Sequence, residues 1–190
     1  SVLSGVSDAL SHLGYDLTLY NVSSDPDARR NMFESVIHRR RVDGMIAVAL
    51  ELAPDEAAQL ARLDIPAITI GGRSQNLPGF AIDDVAVARL ATEHLLKLGH
   101  RNIAHLGGDP AYDLDFNIPS ARRQGYEQAL TSADVEIDPS LYAIADFTIE
   151  SGYRAAKRLL AHPDSDLTAI FAASDEMAIG AILAARELGP

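Results

Sequence analysis

Cysteine is absent from the 190-residue sequence. That excludes disulfides, thiolate catalysis and Cys-ligated metal. No apolar run approaches the ~18 residues that a membrane-spanning helix needs. The first residues, Ser1 to Gly14, show neither a basic flank nor the small-residue cleavage site of a signal peptide. Position 1 is Ser rather than Met, from which the natural start is expected to lie upstream and the chain to be a fragment. Basic residues are few: 16 Lys and Arg stand against 27 Asp and Glu, a formal net charge of −11. Such a surface repels a phosphate backbone, whose binding is driven by cations and counterion release. Contact with DNA is therefore not expected from this segment.

The signatures of common enzyme chemistry are also missing. The sequence contains no G-x-G-x-x-G after its first strand, no G-x-x-x-x-G-K-[ST] phosphate loop and no G-x-S-x-G serine elbow. The six histidines are scattered, with His100 and His105 flanking a short apolar run, and none pairs at metal-ligand spacing on a helix. No catalytic residue, metal site or cofactor is therefore nominated. Low-complexity stretches are lacking too, and at 47% apolar and 23% charged residues the composition is that of an ordinary globular protein.

What is present is alternation. Val2, Val6, Leu10 and Leu13 recur at helical spacing up to Gly14, a helix-ending residue. Asp16 to Tyr20 reads as a strand. Asp25-Pro26 opens a second helix, with Met32, Phe33, Val36 and Ile37 on its apolar face. Further strands are expected at Gly44–Val48, Pro66–Ile70, Phe80–Ile82, Ile103–Leu106, Tyr142–Ala145 and Ala169–Ala172. Helices are expected from Asp55 to Leu63, Val85 to Leu98, Ala121 to Leu130, Glu150 to Ala161 and Asp175 to Leu188. Strands alternating with helices of this length imply βαβ units and parallel sheets. The short, continuously apolar strands imply sheets covered on both faces, hence a doubly wound α/β fold. Ligands of such sheets sit at the carboxyl ends of the strands. The residues to watch are Leu50-Glu51, Gly71-Gly72-Arg73, Asp83-Asp84, Gly107-Gly108-Asp109, Asp146-Phe147 and Ala173-Ser174-Asp175.

Several segments, in order and spread over nearly the whole chain, resemble the lactose-repressor (LacI/GalR) family of transcriptional regulators. They are Arg41-Val-Asp-Gly-Met-Ile46, His94-Leu-Leu-Lys-Leu-Gly-His-Arg-Asn-Ile-Ala-His-Leu-Gly-Gly108, Arg122-Arg-Gln-Gly-Tyr126, Ser151-Gly-Tyr153 and Phe171-Ala-Ala-Ser-Asp-Glu-Met-Ala-Ile-Gly-Ala181. The resemblance implies the effector-binding domain of a repressor. It would have two periplasmic-binding-protein-like lobes, residues 1–83 and 84–190, both incomplete, with a crossover near Ile82-Asp83-Asp84. It implies a small effector, a sugar or sugar derivative, in the cleft between lobes. It also implies a cytoplasmic homodimer that reaches operator DNA through an N-terminal helix-turn-helix domain not contained in this sequence. A periplasmic sugar-binding protein of a transporter is the alternative, and an α/β enzyme such as a small-molecule transferase is a third reading.

The same resemblance orders the candidate effector contacts. Arg122, read as opening a helix, presents a planar fork that can bind two hydroxyls, a carboxylate or a phosphate, unless it is a solvated arginine like Arg123. Phe147, after a strand, can stack on a pyranose face or on a base, or simply pack. Ser174 stands where relatives often carry a ligand-bonding Asn and can donate only one hydrogen bond. Asp175 is a pocket residue, a helix cap, or a charge that favours the positive end of the helix. Gly71 and Gly72 stand where many relatives have Asp, so backbone approaches the ligand, Arg73 replaces that side chain, or the segment is simply a flexible turn. Asp83 is a ligand acceptor or the cap of the following helix. The run Arg39-Arg40-Arg41 reads as a cationic helix end rather than a nucleic-acid contact.

Overall fold

A computed structural model describes residues 2–23, 25–38, 42–50, 52–71, 77–110, 117–161 and 166–188. The expectations for Arg39-Arg40-Arg41, Glu51, Gly72 and Arg73, and for the side chain of Ile37, lie outside the described residues. By backbone contacts the chain divides into residues 1–43 and 44–190.

The first unit holds helix α1 (Val2–Leu13) and helix α2 (Pro26–His38). Gly14 ends α1 at φ 75°, in the left-handed region, where glycine carries no Cβ penalty. Asp25 caps α2, its carboxylate accepting the Ala28 amide at 2.7 Å, and Pro26 follows in the first turn. Phe33 and Val36 are buried. The strand expected at Asp16 to Tyr20 is not formed: residues 15–23 have no regular secondary structure. Apolar alternation makes a strand only where a ladder partner takes its backbone groups, and here Leu17, Leu19 and Tyr20 stay exposed.

The second unit carries two parallel three-stranded sheets. The first sheet runs β1 (Met45–Val48), β2 (Ala67–Ile70) and β3 (Gly79–Phe80), in that spatial order, with helix α3 (Pro54–Arg62) between the first two in sequence. The second is built from β4 (Ile103–Gly108), β5 (Tyr142–Ala145) and β6 (Ala169–Ala172), in the order β5-β4-β6. Its helices are α4 (Asp84–Lys97), α5 (Ile118–Ser132), α6 (Ile149–Leu160) and α7 (Asp175–Leu188). Every residue of β4 is buried, as a central strand covered on both faces requires. On one side Ile103 packs with Leu96 of α4 and Tyr126, Ala129 and Leu130 of α5. On the other Leu106 packs with Ala155 and Ala156 of α6 and Met177 and Ala184 of α7. The edge strands depart from the continuous burial expected of them: Ile46, Val48 and Ile144 remain exposed.

Two helix pairs are drawn together at glycines. A Cβ on Gly125 of α5 would lie 2.2 Å from the Val85 carbonyl oxygen and 2.8 Å from the Arg89 amide nitrogen of α4. A Cβ on Gly180 of α7 would lie 2.2 Å from the Ile149 carbonyl oxygen of α6. Only glycine permits backbones to approach so closely. Gly125 and Gly180, both within the motifs noted in the sequence, are thus packing residues.

His105 lies inside β4, within the strand expected at Ile103–Leu106, and is fully buried. Its ring stacks on Phe171 at 4.8 Å and on Tyr126 at 5.1 Å, and its Nδ1 meets the Phe171 carbonyl at 3.1 Å. Desolvation lowers its pKa to about 4, so the ring is neutral and Nδ1–H donates. The Tyr126 hydroxyl donates to the Ile103 carbonyl at 2.7 Å, and burial pushes its pKa up to about 12.

Gly125→Ala is expected to destabilise the protein by about 1–3 kcal/mol through overpacking. Alanine's helix propensity, better by about 1 kcal/mol, offsets only part of this. An unchanged or raised urea midpoint would contradict the close-approach assignment. For His105, the unfolded state binds the proton near its ordinary pKa of 6.5 and the folded state only near 4. Stability is therefore full above pH 6.5 and falls as pH drops toward 4, by roughly 3 kcal/mol across that window. Urea titrations at pH 7 and pH 4.5 should show this loss in the wild type, and His105→Phe should remove the His105 part of it. Equal slopes in both proteins would refute the assignment.

Candidate functional site

In the second sheet the chain leaves β4 for β5 on one side and later returns to β6 on the other. The carboxyl ends of β4 and β6 therefore flank a topological switch point, where open α/β sheets hold ligands. Three segments meet there: Gly108 at the end of β4, Asp146-Phe147 after β5, and Ala173-Ser174 after β6.

Helix α5 brings Arg122 to this end. The helix starts at Ile118, three residues earlier than expected, because Pro119 is well tolerated in a first turn. Arg122 thus sits one turn in rather than at the opening. Pro119, Tyr126, Ala129 and Leu130 are buried, and helical spacing puts Arg122 on their face, between Pro119 and Tyr126. Its side chain is 25% exposed. Nε donates to Asp84 Oδ1 at 2.8 Å, and Nη1 donates to the carbonyl oxygen of Ala173. The Ala173 amide, for its part, donates to the Leu106 carbonyl at 2.9 Å, extending the β4–β6 ladder. Among the described residues no group bonds Nη2. Arg123 next door is spent otherwise: it donates to Glu127 at 2.7 Å and covers the Tyr142 ring at 4.5 Å. Its partner Glu127 raises its pKa.

Phe147 has φ 62°, a left-handed backbone that a bulky residue adopts only at a cost of ~1–3 kcal/mol. The turn is held on both sides. The Asp146 carboxylate accepts the Thr148 hydroxyl at 2.6 Å and the Thr148 amide at 3.2 Å. The Thr148 hydroxyl caps α6 by accepting the Ser151 amide at 3.1 Å. Hydrogen bonding with Ser151 and Thr148 holds the Asp146 carboxyl below its ordinary pKa. The ring lies across the end of β4: a Cβ on Gly108 would come within 2.4 Å of Phe147 Cε2 and 2.8 Å of Pro119 Cγ. The same ring packs against the Leu106–Met177 cluster, so it is half-buried rather than free.

Ser174, not Asp175, caps α7: its Oγ accepts the Met177 amide at 3.2 Å. Asp175 is instead the first residue of the helix, where its charge complements the helix dipole. Asp83 is the cap of α4, accepting the Ala86 amide at 3.0 Å. At the end of β2, Gly71 has φ 83° and donates its N–H to the Phe80 carbonyl at 2.7 Å. That amide therefore serves the sheet, and Arg73 lies outside the described residues. The sequence candidates brought together are Arg122 and Ser174, through the carbonyl of Ala173, with Phe147 packed on the same cluster as Ala173. Asp84 and the Ala173 carbonyl were not foreseen as partners of Arg122. Asp84 stood among the residues after a strand, but nothing in the sequence couples it to a side chain 38 positions away. Among the described residues no cluster of metal-ligating side chains occurs, and no helix is long and apolar enough to cross a membrane.

Residues 1–189 match the family described as periplasmic binding proteins and the sugar-binding domain of the LacI family. The chain is 30% identical over 190 residues to the HTH-type transcriptional repressor PurR of Haemophilus influenzae, covering 99% of this chain and 55% of that protein. It is similar to the solved structure of the transcriptional regulator CelR in complex with cellobiose, at TM-score 0.75 and 30% identity, covering 99% of this chain and 57% of that one. It is also similar to a LacI-family regulator from Enterococcus faecium with bound ribose, at TM-score 0.76 and 27% identity, covering 98% and 66%. The chain thus spans about half the length of the repressor it matches.

Proposed function

The chain belongs to the family of periplasmic binding proteins and LacI-type sugar-binding domains, and on that premise we propose that it is the effector-binding part of a DNA-binding transcriptional repressor responsive to a sugar. Residues 1–83 and 84–190 are the two lobes in this reading, and the sugar lies in the cleft between them. Operator DNA is bound elsewhere, through an N-terminal domain and as a cytoplasmic homodimer, since a segment of net charge −11 does not favour phosphate. The chain itself catalyses nothing in this reading.

One observation carries the sugar site: the Arg122 guanidinium stands at the carboxyl ends of β4 and β6 with two of its edges occupied and Nη2 unbonded among the described residues. A planar cation fixed by its own neighbours can offer its remaining N–H groups to sugar hydroxyls without losing rotamer freedom on binding. The Ser174 hydroxyl already accepts from Met177 and keeps its proton to donate. The Phe147 face offers an apolar surface to the C–H side of a pyranose. The regulators reported above, one with cellobiose and one with ribose, favour a repressor over a transport protein.

The full-length protein should bind one sugar class in a calorimetric panel. Occupancy should shift operator affinity by about 5- to 150-fold, a coupling of ~1–3 kcal/mol. Arg122→Ala should weaken sugar binding by roughly tenfold or more, the loss of a hydrogen bond to a charged donor. Sugar binding that leaves operator affinity unchanged would contradict the switch. Sugar binding indifferent to Arg122 would contradict the site.

A further inference from the structure

We propose that Asp84 is a positioning residue for the effector site, aiming the Arg122 guanidinium; this rests on the sugar-binding reading above. Asp84 is the first residue of α4, directly after the cap Asp83. Its side chain is only 15% exposed, and its carboxylate takes the Nε edge of Arg122 at 2.8 Å. With Nη1 bound to the Ala173 carbonyl, the guanidinium plane is held at two points on different elements. A plane fixed at two points cannot rotate, so the direction of the remaining Nη2 hydrogens is set. The spacing that allows this comes from Gly125, which lets α5 lie against the first turns of α4 at Val85 and Arg89. Arg122 and Gly125 are one turn apart on α5, as Asp84 and Val85 are neighbours on α4. Residues 81–83, which join β3 of the first sheet to α4 of the second, end at Asp84. The carboxylate therefore also ties the guanidinium to the connection between the sheets.

A first-turn Asp also stabilises a helix, so the test must separate stability from aim. Asp84→Ala, Asp84→Asn and Arg122→Lys are made singly, and Asp84→Ala is combined with Arg122→Lys, all in the full-length protein. Affinity is measured for D-ribose and cellobiose. The Nε–H signal of Arg122 is read by nitrogen-proton NMR without ligand in the wild type and the Asp84 variants. Asp84→Ala should weaken binding roughly tenfold in the wild-type background, Asp84→Asn should recover part of the loss because it keeps an oxygen acceptor, and the Nε–H signal should shift or broaden in Asp84→Ala. In the Arg122→Lys background, which has no Nε, Asp84→Ala should add nothing. Equal weakening in both backgrounds, or no weakening beside a clear Arg122→Lys effect, overturns the positioning role while leaving the sugar site standing. If neither sugar binds, or Arg122→Lys changes nothing, the sugar site falls. An unshifted Nε–H signal in Asp84→Ala then overturns the positioning role separately.

Discussion

The structure turns on a close approach between two helices. At Gly125 the backbone of α5 lies against the Val85 carbonyl and Arg89 amide of α4, with no room for a single added carbon. That contact sets the distance from Arg122 to Asp84, and the ion pair in turn sets where the guanidinium stands relative to Ala173 and the end of β6. Helix spacing does the rest, since Pro119 and Tyr126 are buried on the same face and fix the rotation of α5. Below them, β4 is wholly buried and supplies the floor, with neutral His105 bonded across to β6.

Two adjacent arginines illustrate how position decides role. Arg122 faces inward and is held by Asp84 and a strand-end carbonyl, while Arg123, one residue on, faces the Tyr142 ring and pairs with Glu127. The exposed i,i+4 pair of Arg123 contributes a few tenths of a kcal/mol. The Arg122 pair is more sheltered and lies where ligands of such sheets bind. Membership of the binding-protein and LacI-type family gives that location its meaning.

Helix and strand positions could be read largely from apolar periodicity, and the α/β class followed from their alternation. Boundaries shifted where a proline sits in the first turn of a helix, as at Pro119 in α5 and Pro54 in α3. The segment Asp16 to Tyr20 misled because alternation records a capacity to pair, and pairing is decided by a partner strand. The caps divided. Asp83 capped α4 as one reading of it held, while at α7 the role went to Ser174, the residue nominated for the ligand. Both carry oxygen acceptors at the right place, and local sequence does not say which will hold the extended backbone of a cap. The Asp84–Arg122 pair was illegible because its partners come from different helices, brought together by a glycine whose packing role the sequence did not announce. The motif resemblance pointed to Arg122, and spacing alone would have left it indistinguishable from Arg123.

The most direct test is a crystal structure of the full-length protein with its sugar bound. The account predicts sugar hydroxyls within about 2.7–3.2 Å of the Arg122 Nη atoms, at the carboxyl ends of β4 and β6, with Nε still on Asp84. A sugar seated away from those strand ends, or an Arg122 that has left Asp84 and points elsewhere, would contradict it.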